Sequence, residues 1–254
     1  MLEALIWDVD GTIAETERDG HRLAFNQAFQ SLGLHWHWDP ARYGELLHIT
    51  GGRERLVHDM DSRADAPADP AERVALAAVL HRRKNEAYAD IVNMGRIVPR
   101  PGVLRLMEEA RAAGLRQAIA TTTSRTNVDA LLGGWFGRQW QERFAAVVCG
   151  EDVIKKKPDP EVYERALTLL GCRPDQAIAI EDSLPGLTSA NRAGLAVLLT
   201  PSVYFPRAQV LAQADAVSGA GVLAVCDSLD HPPVVDVARL RVLHEQAATG
   251  RSSG

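Results

Sequence analysis

The distribution of apolar runs constrains this chain more than any other feature. One short strand-like run, Leu5-Ile6-Trp7, opens it, and the next is Gln117-Ala118-Ile119-Ala120. From there Ala146-Val147-Val148, Ala177-Ile178-Ala179-Ile180 and Ala196-Val197-Leu198-Leu199 alternate with helix-length segments. Strands separated by helices predict an α/β fold with a parallel sheet covered on both faces. The first strand lies before residue 15 and the others after residue 98. Residues 15–98, which show helical periodicity, therefore form an inserted helical cap on a discontinuous core of residues 1–14 and 99–228.

Local signals fill in this outline. Within the cap, His21 to Leu32, Glu54 to Met60 and Ala71 to Ile91 read as helices, and the Asp-, Ala- and Pro-rich segment 61–70 as a loop. Lys84, in Arg82-Arg83-Lys84, is expected on a solvated helix face. In the core, Val103 to Ala113 is helical with Gly114 as its C-terminal cap. Asp159 with Pro160 opens a helix to about Leu170, and Ser183 caps another to about Ala193. Residues 229–254 read as an appendage, with a short helix over 234–245 and a disordered Gly/Ser tail.

Composition narrows the function. The net charge of −5 argues against a nucleic-acid partner, and no apolar run reaches the roughly 18 residues of a membrane helix. Cys149, Cys172 and Cys226 have neither metal-finger nor CxxC spacing and are expected as reduced thiols in a cytoplasmic protein. Of the 28 cationic residues only four are lysine, and three of those are consecutive, Lys155, Lys156 and Lys157. A compact ammonium has been placed where arginine is otherwise the default. His35-Trp36-His37-Trp38 lacks nearby carboxylate or thiol partners and reads as an aromatic turn.

Ligands of parallel α/β sheets bind beyond the carboxyl ends of the strands. Four polar groups fall there: Asp8-Val9-Asp10-Gly11-Thr12, Thr121 in Thr121-Thr122-Thr123-Ser124, the lysine cluster and Glu181-Asp182. Each has a plain alternative as a turn, a helix cap or a solvated patch; their convergence on one sheet edge favours function.

In order and context, these four segments resemble the motifs of the haloacid dehalogenase superfamily, over residues 1 to about 226. The resemblance implies a Rossmann-like core and a helical cap of the β-phosphoglucomutase-like branch. It also implies Mg²⁺-dependent phosphoryl transfer. Asp8 would be the nucleophile that forms an aspartyl-phosphate, and Asp10 the general acid and base. Thr121 and Lys157 would hold the phosphoryl oxygens. The metal would be held by Asp8, Asp182 and the backbone carbonyl of Asp10, with Glu181 orienting bound water. Lys157 is chosen among the lysines because Pro158 follows it.

The cap segments Ala14-Glu15-Thr16-Glu17, His21 to Asn26 and Thr50-Gly51-Gly52-Arg53-Glu54-Arg55 look like those of CbbY-type sugar-phosphate phosphatases. One more residue separates Glu17 from His21 than that pattern has. The resemblance implies a sugar bisphosphate, xylulose-1,5-bisphosphate, bound by Glu17, His21, Gly52, Arg53, Arg55 and Thr122. The protein is expected to act as a monomer. A β-phosphoglucomutase-type mutase, sharing Asp8, Asp10 and Mg²⁺, is the enzymatic alternative. A catalytically inactive metabolite-binding protein on the same fold is the alternative of another class.

Overall fold

A computed structural model of the chain describes residues 1–214 and 221–251. Six strands make one all-parallel sheet: β1 (Ala4–Trp7), β2 (Arg116–Ala120), β3 (Ala146–Val148), β4 (Ala177–Glu181), β5 (Ala196–Leu199) and β6 (Val222–Val225). Their order is β3-β2-β1-β4-β5-β6, so chain direction across the sheet switches beside β1. The ends of β1 and its neighbours β2 and β4 are thus the place where such a fold receives a ligand.

Side chains alternate across the sheet with the two-residue period of strands. Leu5, Trp7, Ile119, Ile178 and Ile180 face one layer, where α5 (Val103–Ala112), α6 (Arg125–Phe136) and α10 (Val237–Arg251) pack. Ala4, Ala118, Ala120, Ala177 and Ala179 face the other, against α7 (Glu161–Leu170) and α8 (Leu184–Arg192). Helix α9 (Arg207–Ala214) precedes β6 in the chain, and β6 is a partly exposed strand absent from the sequence reading. Four weakly patterned residues on one sheet edge leave little periodic signal. Helix α7 starts one residue after the expected first position, and Asp159 Oδ1 accepts from the amide of Glu161 (3.1 Å).

Between β1 and α5 run a π turn (Glu17–His21) and four helices, α1 (Arg22–Ser31), α2 (Pro40–Leu46), α3 (Gly52–Asp61) and α4 (Pro70–Asn93). Asp39 and Asp69 cap α2 and α4, each followed by proline at the first helical position. The lobe has its own aromatic core: Trp38 lies 4.7 Å from Phe25 and 5.0 Å from Phe29, ring centre to ring centre. Trp36 and Trp38 point inward and His35 and His37 outward, as an aromatic turn requires. The two crossings to the core lie side by side, with Ala14 bridged to Pro99.

Two expectations need correction. Lys84 is buried, at 3% exposure, because it lies in register with Ala77, Leu80, Tyr88 and Ile91 on the apolar stripe of α4. The C-terminal segment is more than an appendage: Leu229, Val235, Val237 and Leu240 enter the main core cluster, and α10 runs to Arg251. The remaining tail residues, 252–254, lie outside the described residues. No helix among the described residues is long and apolar enough to cross a membrane.

Candidate active site

The parallel ladder continues one step past the strands and fixes the reactive groups. The amide of Asp8 donates to Ile180 O (3.0 Å), and that of Thr121 to Val148 O (3.0 Å). Glu181 ends β4 and Asp182 follows it, while Lys157 comes from the loop after β3. Asp8, Thr121, Lys157, Glu181 and Asp182 are all buried.

Lys157 Nζ uses all three protons. It donates to Asp8 Oδ1 (2.6 Å), Glu181 Oε1 (2.7 Å) and Ala120 O (2.9 Å). Burial alone would strip its charge, but the two carboxylates outweigh that and lift its proton affinity above the ordinary lysine value. Tyr163 lies beneath the ammonium, ring centre 5.0 Å away, and donates its hydroxyl to Glu181 Oε1. Glu181 Oε2 accepts from the amide of Asp182 (3.2 Å). Both oxygens of Glu181 are therefore engaged by protein donors, which suits an orienting role.

Carboxylate oxygens of Asp8, Glu181 and Asp182 lie within 4.8 Å of one another. One ammonium does not balance them. Burial, with Glu181 and Asp10 adding repulsion against Lys157, raises the Asp8 carboxyl to about 7. Burial and the charges of Asp8 and Glu181 push Asp182 well above its usual range. A buried oxygen cluster short of positive charge suits a hard divalent cation. Gly11 keeps the approach open, since a Cβ there would run into the Asp182 carboxylate.

Asp10 faces a different set of partners. Its Oδ1 accepts from Thr16 Oγ1 (2.6 Å) and is bonded to His21 Nε2 (2.8 Å). Burial opposes its charge, but His21 and Thr16 prevail and hold the carboxyl below the ordinary range. The His21 ring stacks on Tyr88, centroids 4.2 Å apart. Residues Glu17–His21 form a π turn, whose wider ring sets the direction in which His21 leaves the backbone. Gly20 permits it, because a Cβ there would meet Tyr88 and Ile97 at 2.7 and 2.6 Å.

A cavity of about 200 Å³ separates cap from core. Asp10, Glu17, His21, Gly52, Arg53, Arg55 and Thr122 all line it, so every residue singled out for substrate binding faces one space. A smaller cavity of about 60 Å³ is lined by Asp8, Thr121, Lys157 and Asp182, and shares Asp10, Glu17, Arg55 and Thr122 with the larger. Arg53 is exposed, whereas Arg55 is buried, donating to Tyr43 OH (2.9 Å) and lying 3.8 Å from Glu17. Tyr43 in turn donates to Glu17. Core and cap also touch directly: Lys156 pairs with Glu54 (2.6 Å), and Thr50 Oγ1 donates to Lys157 O (2.5 Å).

The sequence reading did not single out Tyr43, His81 or Tyr163, and it put Lys84 and Lys156 outside the site. Lys84 and His81 line the large cavity, and Lys84 lies 5.3 Å from the Phe25 ring centre and 5.1 Å from that of Tyr88. The four-residue spacing of Lys84 from Leu80 and from Tyr88 was the available signal for its burial. Tyr43 and Tyr163 carry none, since buried tyrosines are ordinary core residues.

This chain belongs to the haloacid dehalogenase-like hydrolase family, whose model matches residues 2–194. Within it the chain is a CbbY-like phosphatase. It is 47% identical over 203 residues to protein CbbY of Rhodobacter capsulatus, covering 80% of this chain and 87% of that one. Crystal structures of CbbY from Rhodobacter sphaeroides, one with phosphate and one of a mutant with xylulose-(1,5)bisphosphate, superpose with a TM-score of 0.80 at 40% identity. Each comparison covers 91% of this chain and 96% of the other. A β-phosphoglucomutase from Clostridium difficile shares the fold, with a TM-score of 0.74 at 18% identity over 98% of this chain and 100% of that one.

Proposed function

We propose that the protein is a Mg²⁺-dependent phosphatase that removes one phosphate from a sugar bisphosphate, xylulose-1,5-bisphosphate, through an aspartyl-phosphate on Asp8. The observation that carries this reading is the division between the two aspartates. Asp8 is held by Lys157 among the buried acids, and Asp10 by Thr16 and His21 beside the cap cavity. The CbbY complex with xylulose bisphosphate, at 40% identity, supports the substrate.

Asp8, Asp182 and the backbone carbonyl of Asp10, with Glu181 in support, would hold Mg²⁺, whose charge would offset the repulsion between carboxylate and phosphate. A carboxylate oxygen of Asp8 attacks phosphorus, and the bond from phosphorus to the sugar oxygen breaks. Asp10, ionised in the free enzyme because His21 and Thr16 hold its carboxyl low, takes up a proton as substrate binds and gives it to that oxygen. In the second half, Asp10 takes a proton from the attacking water, the bond between Asp8 and phosphorus breaks, and phosphate leaves. Lys157 and Thr121 hold the transferring oxygens throughout. Arg53, Arg55 and Lys84 give the larger cavity a cationic wall for the second phosphate. In this reading the protein works as a cytoplasmic monomer on a small molecule, without nucleic-acid or membrane partners.

The test is phosphate release from xylulose-1,5-bisphosphate with Mg²⁺ and with a chelator, beside isomerisation of β-glucose-1-phosphate. Metal-dependent release with no isomerisation is expected. Isomerisation without release would make the protein a mutase, and neither activity would sink the phosphoryl-transfer reading.

A further inference from the structure

Arg100 lies where the chain re-enters the core from the cap, its amide on Ile13 O (2.8 Å). Its guanidinium is spent on backbone carbonyls. Nη1 donates to Gly11 O and to Thr200 O (2.7 Å); Nη2 donates to Pro201 O (2.9 Å) and Asp227 O (3.2 Å). Nε stands 3.7 Å from Glu15 Oε1, at the outbound crossing to the cap. One mostly buried side chain thus ties together the loops after β1, β5 and β6 and both crossings.

Two of those loops touch the acidic cluster. A Cβ on Gly11 would run into both the Asp182 carboxylate and the side chain of Ser202, one residue beyond Pro201, so Gly11, Asp182 and Ser202 pack together. Glu15 holds the same loop from the other side, its Oε2 accepting from the amide of Val203 (3.4 Å). A guanidinium presents five donors in a fixed planar fork, which a lysine of equal charge does not reproduce. Moving either loop would change where the Asp182 carboxylate points.

We propose that Arg100 is a positioning residue for the divalent-cation site. Its fork locks Gly11 and the Thr200–Ser202 loop in the register that presents Asp182 to the metal. Its pairing with Glu15 ties that register to the base of the cap. The inference rests on the metal reading given above. Arg105 supplies an internal control, because it makes a similar clamp away from the acids: to Leu229 O (3.0 Å), Val235 O (3.1 Å) and Asp230 Oδ1 (2.8 Å).

The test is a Mg²⁺ titration without substrate, by calorimetry and by melting-temperature shift, on the wild type, Arg100→Lys and Arg105→Lys. Loss of an outer-shell partner weakens metal binding about 10–100-fold, and that loss is expected for Arg100→Lys. Arg105→Lys should lower the melting temperature and leave the Mg²⁺ affinity unchanged. Unchanged affinity in a folded Arg100→Lys protein would overturn the proposal while leaving the metal reading intact. A wild type that binds no Mg²⁺ would overturn both. Should Arg100→Lys not fold, hydrogen exchange on the wild type decides: Mg²⁺ should slow exchange in residues 10–16, 199–204 and 225–228 together. Protection confined to residues 8–12 and 181–183 would overturn the proposal.

Discussion

The two walls of the cavity are built on different terms. On the core wall, Asp8, Thr121, Glu181 and Asp182 stand at strand ends, where a parallel ladder fixes them to within one register step. Lys157 ties Asp8 to Glu181 there, and burial amplifies every charge. On the cap wall, Glu17, Arg53, Arg55 and Lys84 stand on or beside helices of the separate lobe, tied to the core nearby through Lys156–Glu54 and Thr50–Lys157 O. The difference matches the work: chemistry needs fixed geometry, and selection of a ligand tolerates a wall that can close on it.

Three experiments bear on that contrast, in order of expected effect. Lys157→Ala on the core wall removes the donor to Asp8 and Glu181 at once. Phosphate release should fall by about 10²–10³-fold, the scale of losing one preorganised transition-state donor, with circular dichroism confirming the fold. Near-normal turnover would pass the role to Lys156. Arg53→Ala on the cap wall should raise KM for a bisphosphate about 10–100-fold, the worth of a charge-assisted hydrogen bond, with kcat retained. The KM for a monophosphate should barely change; equal effects on both would remove Arg53 from the second-phosphate site.

The smallest effect concerns pH. Burial, with Arg55 adding repulsion against the pull of Asp10 and Glu17, lowers Lys84 from 10.5 to about 8. Its charge is therefore present below about pH 8 and lost above it, so KM for the bisphosphate should rise as pH passes 8. Lys84→Met should flatten that rise, which steady-state kinetics between pH 7 and about 9 would show. A rise that persists in the variant would assign it to another group.

The same contrast explains what the sequence made legible. A strand end can be read from a short apolar run, and parallel topology then brings distant runs to one edge. Asp8, Thr121 and Glu181-Asp182 were therefore readable together without any contact being known. The cap resisted because helix periodicity reports which face is buried and leaves open what that face meets. Lys84 shows the cost: the reading took its charge as a sign of exposure, although its spacing from Leu80 and Tyr88 placed it on the buried stripe. His21 shows a subtler case, since its reach to Asp10 depends on a π turn that a count of residues does not reveal. The C-terminal helix was missed as a core element because its partners, including Leu106, lie far away in sequence.

The central claim is that Asp8 carries the phosphoryl group. Its most direct test is rapid acid quench of the enzyme turning over xylulose-1,5-bisphosphate with Mg²⁺, followed by mass spectrometry of the peptide spanning residues 1–18. A phosphate on Asp8, absent from Asp8→Asn and from the chelated enzyme, is the predicted result. Turnover by Asp8→Asn at the wild-type rate, or a phosphate found on Asp10 instead, would contradict it.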